Sequence, residues 1–173
     1  MIKDTVLKRK EIIMVALLTT IIFLTHTIYV KDTGIIFILD DEYGYWANAA
    51  YFSGLDWSAT VSKIPYYSYG YSLLLVPLFK IFNNTTTMYQ VAVLLNGIMV
   101  SISFLLCYDI AKKVIKNCDK IVLLSISFLI SMYSTYINYS HTTWNECLLM
   151  FIFWLLTWCY VNLNNKTIIY KFV

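Results

Sequence analysis

The sequence predicts an all-α integral membrane protein of about four transmembrane helices, with one large extracytoplasmic loop that carries juxtamembrane helices. Three observations predict it. The 173 residues are 60% hydrophobic and 13% charged, with a mean hydropathy of +0.66; an average soluble domain is about 45–50% apolar and about 25% charged. The 13 basic and 10 acidic side chains fall almost entirely outside four long apolar stretches. The basic residues gather in three segments that an even number of crossings places on one side. This composition excludes a soluble enzyme, a disordered tail and a nucleic-acid binder. Membrane lipids are the expected surroundings and no nucleic acid is expected as a partner.

The first segment carries Lys3, Lys8, Arg9 and Lys10 ahead of an apolar run at residues 12–30. That run is long enough to span and is followed by no A-x-A-like cleavage site, so it reads as an uncleaved anchor. Residues 89–108 form the second expected span, with Asn96-Gly97 inside it as a packing site. A basic linker follows with Lys112, Lys113, Lys116 and Lys120. The third span is residues 121–139, where Ser127, Ser131 and Thr135 recur every four residues and predict close helix packing. The fourth is residues 145–162, after which Lys166 and Lys171 lie in the tail. With the three basic segments inside, the N-terminus is cytoplasmic and the number of spans is four. Cys107, Cys118, Cys147 and Cys159 show no metal-ligand spacing and read as apolar filler.

Residues 31–88 then form an extracytoplasmic loop. Positions 43–71 hold ten aromatic residues, which suits an element lying in the headgroup layer rather than free in water. Residues 42–53 have helical spacing, with Tyr45, Ala49 and Phe52 on one stripe and Trp46 and Ala50 beside it. Residues 72–82 contain Pro77 and Lys80 and are too short to cross, so they predict an interfacial or re-entrant helix. Asp40-Asp41-Glu42 stands at the head of the first of these helices. Such residues cap a helix and complement its dipole, or act as catalytic or cation-binding carboxylates. Glu146, at the edge of the last span and on the same side, is either a snorkelling end residue or a functional carboxylate. His141 nearby reads as a polar cap.

The acidic pair, then Tyr45 and Ala49 spaced behind it, Gly54-Leu55-Asp56-Trp57, Lys63-Ile64-Pro65 and the apolar helix after it together resemble the start of the integral-membrane glycosyltransferases that use polyprenyl-phosphate sugars. That superfamily includes protein O-mannosyltransferases and lipid A aminoarabinose transferases. Many relatives carry a basic residue and paired prolines where this chain reads Tyr66-Tyr67-Ser68-Tyr69-Gly70. The resemblance implies a transferase of the cell envelope, in the cytoplasmic membrane of a bacterium, that moves a sugar from a polyprenyl-phosphate donor to an acceptor hydroxyl outside. It implies Asp41 as the catalytic base, with Asp40 its nearest neighbour in type. Glu42 and Glu146 would orient the acceptor or share a divalent cation, Lys63 would meet the lipid phosphate, and Tyr45 and Trp57 would bind donor and sugar. The resemblance fixes no cofactor and leaves room for a divalent cation, since carboxylates alone do not specify a metal. Members of the family have many more helices, so residues 1–173 read as a single transmembrane domain, the N-terminal portion of a longer enzyme and inactive by itself. The competing expectation is a non-catalytic four-span protein that assists assembly or transport of lipid-linked glycans.

Overall fold

The computed structural model describes residues 2–31, 40–57 and 68–164. Among the described residues the chain is wholly helical, with α1 (Ile2–Thr27), α2 (Asp40–Phe52), α3 (Tyr69–Ile81), α4 (Thr85–Val114), α5 (Lys120–Ser131), α6 (Ser134–Ser140) and α7 (Glu146–Asn164). Two of these, α4 and α7, are long and apolar enough to cross a membrane, and three crossings result if α5 and α6 are taken as one bent span. The helix α1 holds most of the expected first span, and α4 and α7 contain the second and fourth.

The helix α4 is the axis of the bundle. Asn84 starts it by accepting the Thr86 and Thr87 N–H groups at 2.8 and 3.3 Å, which satisfies two of the donors a helix start leaves open. Its Ala92, Asn96, Val100 and Phe104 are buried against α1, α5 and α7. The chain reverses through Asn117, whose φ of 63° lies in the left-handed region that Asn tolerates. Asp119 then caps α5 by accepting the Ile121 N–H at 2.9 Å. The helix α7 packs on α4 yet leaves Leu149, Phe153 and Leu156 more than half exposed. Only 6% of its apolar window is buried, against 61% for α4. Such a surface is stable in hydrocarbon, where the helix satisfies its own backbone, and unfavourable in water.

The third expected span is not one continuous helix. It breaks at Met132–Tyr133, and α5 and α6 meet at 53°. Tyr133 turns extended (φ −63°, ψ 134°), which releases the Ser131 carbonyl from the helical ladder. His26 of α1, fully buried, donates from Nε2 to that carbonyl at 3.0 Å, while its Nδ1 meets the Ser140 hydroxyl at 2.7 Å. The carbonyl can only accept, so the proton sits on Nε2. One imidazole thus holds both arms of the bend and satisfies the backbone group that the bend frees. The Ser127 and Ser131 hydroxyls turn back onto Leu123 and Ser127 carbonyls, and both residues are buried as the four-residue spacing predicts.

The helix ends sort into two poles. At one, Glu11 of α1 meets Lys120 at 2.7 Å and accepts from Tyr108 at 2.9 Å. There too Asp109 pairs with Lys113 and accepts from Trp158 at 2.8 Å, and Lys113 reaches Asn162 at 2.7 Å. The N-terminal segment, the basic linker and the end of α7 are therefore joined. The opposite pole gathers the end of α1, the start of α4, the start of α7, and the helices α2 and α3.

At Gly97 of α4 the helix α1 comes close. A Cβ there would stand 2.6 Å from the Thr27 γ-methyl and 3.6 Å from the Phe23 ring. Thr27 cannot rotate freely, because its hydroxyl donates to the Phe23 carbonyl at 2.7 Å. Alanine gains about 0.8–1.0 kcal/mol of helix propensity over glycine, and overpacking costs about 1–3 kcal/mol. Gly97→Ala is expected to destabilise the protein by about 1 kcal/mol in thermal or chemical unfolding in detergent. In a Thr27→Ala background the same change is expected to become neutral or stabilising, a coupling that a double-mutant cycle reads directly.

Candidate functional site

The pole opposite the ion pairs is built around α2, and α2 is held by Glu42. This side chain is fully buried. Its Oε1 accepts the Tyr89 hydroxyl at 2.9 Å, the Thr143 hydroxyl at 3.0 Å and the Thr143 backbone N–H. Thr143 in turn accepts the Trp46 indole N–H at 2.9 Å, one turn along α2 from Glu42. Thus α2, α4 and the α6–α7 connection meet at one carboxylate oxygen. Burial pushes the Glu42 carboxyl above the usual carboxylate range, and the hydrogen bonds from Thr143 and Tyr89 only partly oppose it. The other oxygen, Oε2, is buried with no partner among the described residues.

Around this point the aromatic side chains lock α2 to α3. Trp46 lies edge-on to Phe79 and stacks near Tyr89, at centroid distances of 5.7 and 6.3 Å. Tyr45 meets Tyr71 edge-on at 5.8 Å, and Phe52 meets Tyr69 at 5.4 Å. Tyr71 donates to Asn96 Oδ1 at 3.0 Å, and Asn96 donates to the Thr142 carbonyl at 2.7 Å. A second polar chain therefore runs from α3 through α4 to the same α6–α7 connection. The expected aromatic ledge divides in two. Tyr45, Trp46 and Tyr71 are interior, whereas Tyr51, Phe52 and Tyr69 remain exposed.

Asp41 points the other way from Glu42 and is exposed. Tyr45 follows one turn further on and is buried. The Tyr45 phenol is held above its ordinary range first by burial, then by the Glu146 carboxylate and, more weakly, by Asp41, against a hydrogen bond with Ser68. Tyr45 thus feels the charge of both expected outside carboxylates, one from α2 and one from α7. Glu146 is half-buried, with Oε2 enclosed and unpartnered among the described residues. Trp57 is half-buried against Phe79 at 5.9 Å, on the same side of α3 as Trp46. Lys63 and the run at 35–39 lie outside the described residues, and so does the side chain of Asp40. Among the described residues no three His, Cys, Asp or Glu side chains converge as a metal site. His141 packs edge-on to Tyr29 at 5.5 Å, and burial lowers its imidazole below the ordinary range.

Sequence reasoning did not find Tyr89, Thr143 or His26. Each lies at the edge of or between apolar stretches, among other polar residues, with no periodic or motif signal. Comparison of the chain with protein-family models, curated proteins and solved structures finds no match.

The raised Glu42 carboxyl has a sign. The unfolded chain loses this proton near the ordinary value of 4.5, whereas the folded chain keeps it to higher pH. This group's contribution is complete below about pH 4.5 and is lost as pH rises through the folded value. Stability of the wild type is expected to fall across that window relative to Glu42→Gln, which does not titrate. Glu42→Ala, which strands three donors, is expected to cost roughly 2–4 kcal/mol. Unfolding of the three proteins across pH 4–8 checks both expectations.

Proposed function

We propose that this chain belongs to a membrane glycosyltransferase that moves a sugar from a polyprenyl-phosphate donor to an acceptor hydroxyl on the extracytoplasmic side. In this reading α1, α4, the bent α5–α6 pair and α7 are four crossings. The ion-paired pole is cytoplasmic, in keeping with the positive-inside rule, and the Glu42 pole faces out. The observation that carries the reading is that exposed Asp41 and half-buried Glu146, from separate helices, both act electrostatically on Tyr45 at the Glu42 pole.

Asp41 acts as the base. The acceptor hydroxyl gives its proton to the Asp41 carboxylate as its oxygen bonds to the anomeric carbon. The bond from that carbon to the phosphate oxygen breaks, and the electron pair leaves with the lipid phosphate. A positioned base contributes roughly 10²–10⁴-fold. Glu146 and Tyr45 position the acceptor, Trp57 stacks on the sugar, and Lys63 faces the leaving phosphate, whose developing charge favours a cation. Glu42 is a positioning residue that sets the pose of α2. The reading draws on the acidic pair, the aromatic helix behind it and the four apolar stretches.

The test is sugar transfer in vesicles by the longest product of the reading frame, with a polyprenyl-phosphate sugar as donor. Asp41→Asn is expected to lower the rate by roughly 10²–10⁴-fold without changing donor retention. Loss with Asp40→Asn while Asp41→Asn keeps full activity would reassign the base. Transfer unaffected by either change, or absent from the wild type, would favour the non-catalytic four-span reading.

A further inference from the structure

Away from the outside pole, a groove of about 770 Å³ runs along the membrane-facing seam between α1 and α4. It extends from Glu11 to Phe23 on α1, about 18 Å at about 1.5 Å per residue. That is a little more than half of the roughly 30 Å hydrocarbon thickness. Its walls include Ala16, Thr20, Ile98 and Ser101. The small residues keep the seam open. The hydroxyls of Thr19, Thr20 and Ser101 donate to carbonyls of their own helices, so the wall offers methyl groups rather than donors. A glycan or peptide would find little to bond there, and an alkyl chain would fit.

Polar groups gather at one end only. Lys112 lines the mouth with Glu11, Tyr108 and Asp109. Its ammonium stands 3.8 Å from both carboxylates and 4.5 Å above the Tyr108 ring, and makes no hydrogen bond among the described residues. The better contacts of those acids go elsewhere: Glu11 to Lys120 and Asp109 to Lys113. Three lysines against two carboxylates leave one positive charge at the mouth. A phosphodiester carries one negative charge and offers oxygens for the unused N–H groups of Lys112.

We propose that this seam is a binding site for one anionic glycerophospholipid, its phosphodiester on Lys112 and an acyl chain between α1 and α4. The inference rests on the membrane reading of the fold and is independent of sugar transfer. The groove is one leaflet deep, its polar end matches one headgroup charge, and the hydroxyls of its walls are already bonded.

The test is native mass spectrometry of the purified, delipidated full chain in detergent, titrated with phosphatidylglycerol and, separately, phosphatidylcholine. One phosphatidylglycerol is expected to be retained in preference to phosphatidylcholine. Lys112→Gln is expected to weaken its retention about tenfold and Lys112→Arg to restore it. Ala16→Trp, which fills the groove, is expected to weaken both lipids. Circular dichroism checks that each variant remains helical; if Ala16→Trp does not, the Gln and Arg pair at Lys112 decides alone. Equal retention of the two lipids, or phosphatidylglycerol retention unchanged in Lys112→Gln, would overturn the proposal. So would a Thr20→Cys chain that cross-links to a second copy through the seam.

Discussion

The pole that holds α2 and α3 depends on one buried carboxylate. The helix α2 has only 13 residues, and its aromatic stripe alone leaves many rotations open on the bundle. Burying an acid is costly unless its oxygens are met by donors. Glu42 meets three, and they come from α4 and from the α6–α7 connection rather than from α2 itself. Only one rotation and one depth of α2 satisfy all of them. Trp46 and Ala49, on the turns that follow, are then turned inward and buried. The Trp46 indole completes the arrangement by donating to the same threonine that donates to Glu42.

A second constraint comes from the bend between α5 and α6. A buried backbone carbonyl without a partner is costly, so such a bend needs a polar group from a neighbour. His26 supplies it for Ser131 and also fixes Ser140. Ser140 lies just ahead of Thr142 and Thr143, the two residues that receive Asn96 and hold Glu42. The bend, the α6–α7 connection and the seat of α2 are therefore linked through a short piece of chain. An uninterrupted helix over residues 121–139 would point that piece elsewhere and leave Glu42 without two of its donors.

Periodicity and charge placement made the coarse fold legible. The surface helix at 42–53 and the short apolar helix at 72–82 correspond to helices within a few residues, and each apolar stretch is helical, though the first helix begins ten residues earlier and the third stretch is two helices. The break at Met132–Tyr133 was not legible. Neither residue is a proline or glycine, and the partner that stabilises the break lies on α1. The same limit applies to the site. Asp41, Glu42, Tyr45 and Glu146 stood out as charges or rings in unusual company. Their division into buried and exposed members depends on Tyr89, at the edge of an expected span, and Thr143, in a short connection, neither of which carries a signal in the sequence. The basic segments were recognisable as one side, but their pairing with Glu11 and Asp109 needed the helices to be assembled.

The acidic pair shows why neighbouring carboxylates do not have interchangeable roles. Successive helical residues point about 100° apart, so seating Glu42 in the bundle turns Asp41 out of it. Glu42 has one oxygen committed to three donors and the other sealed from solvent; it can neither reach an acceptor nor exchange a proton readily. Asp41 is exposed, and its charge, like that of Glu146, acts on Tyr45. A general base has to touch the hydroxyl it deprotonates and pass the proton on. In the proposed transferase, then, burial itself assigns the roles: the glutamate fixes the helix, and the aspartate before it is left where a substrate can arrive.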